Sequence, residues 1–231
     1  MKSIVILTGA GISRESGLAT FRDPDGIWAR VRIEDVATPE AFRRDPARVQ
    51  AFYNTRRAAL RDPALRPNAA HLALARLERE YPGDVLIVTQ NVDNLHEAAG
   101  SHAVLHMHGA LNEAACMACA AIVPWHNDIE PNSTCPGCGS HALRPNVVWF
   151  GEMPFHMEKI EEALEECGIF AAVGTSGQVY PAAGFINAVA GRARTFELTL
   201  EPSALSPLFG SVRYGPATAT VPLFVDELLR G

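Results

Sequence analysis

Four of the five cysteines fall in two pairs, Cys116-x2-Cys119 and Cys135-x2-Cys138, with fifteen residues between the pairs. In a chain without an export signal this spacing reads as zinc rather than disulfides. Each pair can make a tight knuckle, and Pro136, Gly137 and Gly139 supply the turn residues of the second. Four thiolates complete a tetrahedral shell with no position for water or substrate, so the expected metal is structural rather than catalytic. The flanks carry Glu113, Asp128 and Glu130 and are not basic, which argues against a ribbon touching nucleic acid. Cys167 stands alone and reads as a small buried apolar residue.

His106 and His108 flank Met107 just before Gly109. In an alternating strand both face one side. A histidine near its neutral pKa can act as a general base, and it can equally be a core residue; periodicity does not choose. Asn91 and Asp93 alternate at a strand end, where they can bond a ribose or cap the helix that follows. Tyr53 and Arg56 lie three apart on a helix and share a face. A phenol beside a guanidinium can bind a carboxylate. Arg57 and Arg61 next to them also suit an ordinary solvated face.

The elements that position these groups alternate in type. Ile4-Val5-Ile6-Leu7-Thr8, 84–89, 104–109, 169–173 and 195–200 read as strands. Residues 39–60, a segment capped by Asn68 with Leu72, Leu74 and Leu77 inward, 157–167, 181–190 and 221–229 read as helices. This order predicts an α/β fold with a parallel sheet. The segment 113–144 is loop-rich. Three strands end in Gly-, Ser-, Thr- or Asn-rich turns at 8–13, 89–94 and 174–177. Ligands of open α/β sheets bind at the carboxyl ends of strands, so these turns are expected to share one crevice. Gly9-Ala10-Gly11 lets the backbone approach a pyrophosphate, or is a plain tight turn. It is not the full dinucleotide fingerprint, because Arg14 stands at the third glycine position. No acidic residue closes a second strand about 20 residues on, as in a hydride-transfer enzyme.

With 231 residues, 48% hydrophobic, the chain suits one large domain or a domain plus a small module. A net charge of −6 argues against a broad nucleic-acid surface. No apolar run approaches the ~18 residues of a membrane span, and no signal peptide pattern opens the chain. A cytoplasmic location is expected.

Taken in order, Gly9-Ala10-Gly11-Ile12-Ser13, Thr20-Phe21-Arg22, Thr89-Gln90-Asn91-Val92-Asp93-Asn94-Leu95-His96, His106-Met107-His108-Gly109, the cysteine pairs, Val147-Val148-Trp149-Phe150-Gly151-Glu152 and Gly174-Thr175-Ser176 resemble the sirtuins, NAD-dependent protein-lysine deacylases. The resemblance spans nearly the whole chain. Tyr53-x-x-Arg56 further resembles the bacterial and mitochondrial branch that removes succinyl and malonyl as well as acetyl groups.

The resemblance implies a Rossmann-like NAD-binding domain over 1–30, 76–112 and 145–231. It implies a small domain made of two insertions, a helical part at 31–75 and a zinc part at 113–144. Gly9, Ala10, Gly11, Ser13, Phe21, Arg22 and Trp28 would hold pyrophosphate and nicotinamide ribose. Gln90, Asn91, Val92 and Asp93 would shape the nicotinamide pocket, and Gly174, Thr175, Ser176, Thr199, Leu200, Glu201 and Ala217 the phosphate, ribose and adenine side. Thr199 stands where the family carries Asn, with a shorter reach. Tyr53, Arg56, Val147, Val148, Trp149 and Phe150 would receive the acyl-lysine peptide, lying as an added strand. His108, with Asn91, would be catalytic, and NAD would be consumed as a co-substrate beside one structural zinc. Acyl-lysine proteins are the implied partners, with no nucleic acid, no membrane and a monomeric chain. A protein ADP-ribosyltransferase and a non-catalytic NAD sensor are the alternatives, and the sensor has no need of His108.

Overall fold

A computed structural model describes residues 2–19 and 31–231. Its strands are β1 (Ile4–Thr8), β2 (Val85–Thr89), β3 (Val104–His106), β4 (Gly109–Cys116), β5 (Ile122–Pro124), β6 (Leu143–Val147), β7 (Ile169–Val173), β8 (Arg194–Thr199) and β9 (Ser211–Tyr214). Six form a parallel sheet in the order β3-β2-β1-β7-β8-β9. Every residue of β1 and β7 is buried, as the continuous Val/Ile/Leu/Ala runs require of strands covered on both faces. Alternation sorts them into two layers. Ile4 and Ile6 face the helices Ala69–Glu80 and Ala217–Arg230, while Val5 and Leu7 face Met157–Glu166 and Phe185–Val189. Each such fully buried aliphatic side chain contributes about 1.5–3 kcal/mol.

The chain leaves β1 for β2 and β3 on one side and returns to β7, β8 and β9 on the other. The order therefore reverses between β1 and β7. Their carboxyl ends open the crevice that such a switch point creates.

A second sheet, antiparallel in the order β5-β4-β6, occupies what reads in the sequence as loop. The helix Pro46–Ala59 lies against it through polar side chains. Gln50 Nε2 donates to Leu143 O (3.2 Å), Asn54 pairs with both backbone groups of Ile129 (3.1 and 2.9 Å), and Arg57 Nε donates to Leu111 O (2.6 Å). Arg57 is thus not on a solvated face; it is 1% exposed. The spacing 50, 54, 57 makes the inner stripe of this helix polar, which hides it from a hydrophobic pattern.

Other boundaries shift for local reasons. Residues 39–60 split into Pro39–Arg44 and Pro46–Ala59, because Asp45 caps the second helix and Pro46 opens it. Leu72 is 54% exposed while Leu74 and Leu77 are buried, since two residues along a helix reverse the direction. Residues 10–16 form only two 3-10 turns. The segment 104–109 stays extended only to His106. Gly109 adopts φ +80°, and a Cβ there would lie 2.0 Å from Asn146 O.

Candidate functional site

The crevice at the switch point is a cavity of about 1100 Å³, and Gly9, Gly11, Gln90, Asn91, Gly174, Thr175 and Ser176 from the three strand ends all line it. Its floor is backbone against backbone. Gly9 N donates to Val173 O (3.0 Å) and Gly11 N to Gly174 O (2.8 Å). A Cβ on Gly11 would come within 2.8 Å of Gly174, and Gly174 itself holds φ +59° with Ile12 N only 2.5 Å from a Cβ. Gln90 Nε2 ties β2 to β7 by donating to Thr175 Oγ1 (2.9 Å).

Ser13 and Asp93 are buried beneath this surface rather than on it. Ser13 Oγ donates to Asp93 Oδ2 (3.0 Å) and accepts from Asn91 Nδ2 (3.1 Å), which also reaches Gly9 O (3.2 Å). Asp93 Oδ1 accepts from Leu95 N (3.1 Å), so its second oxygen caps the following helix. Burial pushes the Asp93 carboxyl up. His71, which the sequence reading passed over, completes the group. Its Nδ1 accepts from Asn68 N (3.4 Å), which leaves the proton on Nε2, facing Ser13 Oγ at 3.4 Å. The Asn68-x-x-His71 spacing of a capping box was its signal. Behind it His96 packs edge-on (ring centroids 5.0 Å apart) and meets Thr8 Oγ1 at 3.0 Å.

The two histidines of 106–108 separate cleanly. His106 Nδ1 donates to Asn91 O (3.1 Å), and its Nε2 meets Glu97 Oε1 (2.7 Å). Burial pulls its pKa down, but the Glu97 carboxylate outweighs this and leaves it raised. Both nitrogens are engaged, and His106 does not line the cavity. His108 does line it. Its Nδ1 faces Gln90 O at 3.1 Å, and a carbonyl only accepts, so the proton sits on Nδ1 and Nε2 keeps its lone pair. Burial lowers the His108 pKa, so the ring is neutral near pH 7.

The opposite wall comes from the helix Pro46–Ala59 and from 147–152. Tyr53 and Arg56 both line the cavity, as do Val147, Val148, Trp149 and Phe150. Burial pushes the Tyr53 phenol up to about 12 and Arg56 down to about 10. The Arg56 guanidinium lies 3.3 Å over the Phe52 ring and donates to Phe52 O (2.9 Å). Among the described residues no carboxylate pairs with it. Ala10, Val92, Thr199, Leu200, Glu201 and Ala217 line the same cavity. Glu15, Gln178 and Tyr180 also line it without having been singled out, and so does Arg14, noted in the sequence only for its departure from the glycine fingerprint. Phe21, Arg22 and Trp28 lie outside the described residues.

The sulfur atoms of Cys116, Cys119, Cys135 and Cys138 all lie within 4.8 Å of one another. Cys116–Cys138 and Cys119–Cys135 stand at 3.7 and 3.8 Å. A tetrahedron with Zn–S bonds of 2.3 Å has edges of about 3.8 Å, so the thiolates fit zinc. The two knuckles are copies: Ala120 N donates to Cys116 O (2.9 Å) and Gly139 N to Cys135 O (2.8 Å), both from left-handed residues.

A model of the Sir2 family matches residues 9–181. The chain is 55% identical over 229 residues to an NAD-dependent protein deacylase of Bdellovibrio bacteriovorus, covering 99% of this chain and 97% of that one. It is 54% identical over 230 residues to one of Escherichia coli, covering 99% and 82%. Among solved structures it is similar to a Sir2 homologue mutant bound to ADP-ribose (TM-score 0.92, 37% identity, 99% and 92% covered). It is also similar to a Sir2 homologue–NAD complex (0.89, 38%, 99% and 90%). A third structure is bound to a myristoylated histone peptide (0.75, 33%, 99% and 92%).

Proposed function

The chain belongs to the Sir2 family, and from that premise we propose that it is an NAD-dependent protein-lysine deacylase acting on acetyl and on succinyl or malonyl lysine. The observation that carries the reading is His108: a half-buried, neutral imidazole on the cavity wall with Nδ1 held by Gln90 O and, among the described residues, no hydrogen bond on Nε2.

NAD enters as a substrate. Its diphosphate lies along the glycine turn, where Gly9, Gly11 and Gly174 put no side chain in the way. Thr199, Leu200, Glu201 and Ala217 take the adenine side. Asn91 takes the nicotinamide end, held in place by Ser13 and Asp93 beneath it. The acyl oxygen attacks C1′ of the nicotinamide ribose and nicotinamide leaves. His108 Nε2 then accepts the proton of a ribose hydroxyl as that hydroxyl attacks the imidate carbon. Water completes the balance, giving free lysine and O-acyl-ADP-ribose. Tyr53 and Arg56 take an acyl carboxylate. Cys116, Cys119, Cys135 and Cys138 hold a structural zinc that supplies no chemistry to the reaction. The partners are acyl-lysine proteins or peptides, met by a cytoplasmic monomer without nucleic acid. No helix among the described residues is long and apolar enough to cross a membrane.

The test is nicotinamide release from NAD with acetyl- and succinyl-lysine peptides. Wild-type protein releases it through many turnovers only when peptide is present, His108→Ala stops after at most one equivalent per protein and frees no lysine, and Arg56→Met loses far more on succinyl than on acetyl peptide. Intact turnover in His108→Ala refutes the mechanism. Equal loss on both peptides in Arg56→Met makes that wall merely structural.

A further inference from the structure

The turn 90–92 lines the cavity, and its three successive carbonyls are each met by a donor from 106–111. His108 Nδ1 faces Gln90 O (3.1 Å), His106 Nδ1 faces Asn91 O (3.1 Å), and Leu111 N donates to Val92 O (2.9 Å). The first belongs to the proposed base, and the third is a main-chain group that any residue but proline supplies. The middle donor is a side chain that does not itself reach the cavity.

His106 is anchored from behind. Its Nε2 meets Glu97 Oε1 at 2.7 Å, on the short helix Leu95–Ala98. A carbonyl and a carboxylate both only accept, so the ring serves the two together only with both nitrogens protonated. Burial pushes the Glu97 carboxyl up, but the His106 hydrogen bond outweighs this and holds it below its ordinary value. The Glu97 contact thus fixes the ring and turns Nδ1 toward Asn91.

Asn91 is buried and gripped at two places. His106 holds its main chain, while Gly9 O and Ser13 Oγ accept from its amide (3.2 and 3.1 Å). The grips are linked, because the imidazolium charge draws on Asp93, the carboxylate that takes the Ser13 hydroxyl (3.0 Å). A donor lost at Asn91 O therefore loosens the turn that carries the amide and leaves the contacts between Gly9, Gly11 and Gly174 in place.

We propose that His106 is a positioning residue for the nicotinamide half of NAD: anchored by Glu97, it donates to Asn91 O and so sets where the Asn91 amide stands in the cavity wall. This rests on the NAD-consuming reading above. ADP-ribose, which lacks the nicotinamide ring, is then indifferent to His106.

His106→Leu and His106→Asn are compared with wild type. Leucine fills similar space and donates nothing, whereas the asparagine Nδ2 stands where the imidazole Nδ1 stood and can still donate to Asn91 O. With an acetyl-lysine peptide, kcat/KM for NAD and inhibition by nicotinamide are measured; the ADP-ribose Kd comes from calorimetry. His106→Leu is expected to lose about tenfold in kcat/KM for NAD and about as much in nicotinamide inhibition, the size of a hydrogen bond from a charged group. Its ADP-ribose Kd stays within about twofold, and His106→Asn recovers to within about threefold of wild type on both NAD measures. If NAD turnover and ADP-ribose binding fail together in His106→Leu, the residue is merely structural and the proposal is overturned. Undiminished kcat/KM in His106→Leu, or no rescue by asparagine, overturns it as well. If wild type itself releases no nicotinamide with peptide, the NAD-consuming reading fails and this proposal with it.

Discussion

His71 and His96 make the folded protein sensitive to mild acid in a way that can be calculated. Both are fully buried, and burial is the main cause that lowers them, His71 to about 4 and His96 to about 3. In the unfolded chain each titrates near 6.5. As the pH falls below that value the unfolded state takes up two protons that the folded state refuses. Stability therefore falls with pH, and the loss stops only where the folded rings titrate, near pH 3 to 4. Between pH 7.5 and 5.0 the loss integrates to about 2 kcal/mol for each ring and about 4 kcal/mol for both. That is a large part of the 5–15 kcal/mol of a typical domain. His96→Gln isolates one ring, because glutamine stays neutral and can still bond Thr8 Oγ1. Guanidinium unfolding at pH 7.5 and 5.0 should show a pH-linked loss about 2 kcal/mol smaller in the variant than in wild type. His106, raised above its ordinary value by Glu97, works with the opposite sign, and being common to both proteins it cancels. Equal losses in the two proteins would mean that His96 is protonated in the fold, and the buried-neutral account would be wrong.

Two shorter tests concern the metal module. Cys119→Ser removes one thiolate of the set; native mass spectrometry should show zinc stoichiometry falling from one to zero, with a lower thermal midpoint. An unchanged stoichiometry refutes the four-thiolate site. Ala120 holds φ 60° where its counterpart in the second knuckle is glycine. Ala120→Gly should relieve up to about 1 kcal/mol of left-handed strain and slow zinc loss to a chelator; faster loss refutes the strain.

What the sequence revealed and what it hid follow from range. The strand ends at 8–13, 89–94 and 174–177 were legible because a buried parallel strand writes an unbroken apolar run and its ligand-facing turn writes glycine. Cys116 to Cys138 were legible because metal geometry dictates short spacings. Helical periodicity put Tyr53 and Arg56 on one face, and only the family resemblance singled them out. Arg57 was misread because its partner, Leu111 O, is 54 residues away, and nothing local announces that a carbonyl needs a donor. β4, β5 and β6 were missed because knuckle turns and short antiparallel strands carry the same Gly, Pro and Asn as loops. The choice between His106 and His108 depended on where the strand stops, and the stop is set by Gly109 against Asn146 O.

The glycine floor has a consequence for how this protein can vary. Gly9, Gly11 and Gly174 meet as peptide groups, and no side chain can be added to any of them without collision. A surface made of peptide groups offers mutation nothing to adjust, and a change there can only break it. The facing wall is built from Tyr53, Arg56 and Trp149, each replaceable by a residue of another size or charge. One cleft thus joins a half that is fixed to a half that is tunable, and variation in what the cleft accepts has to be written on the second.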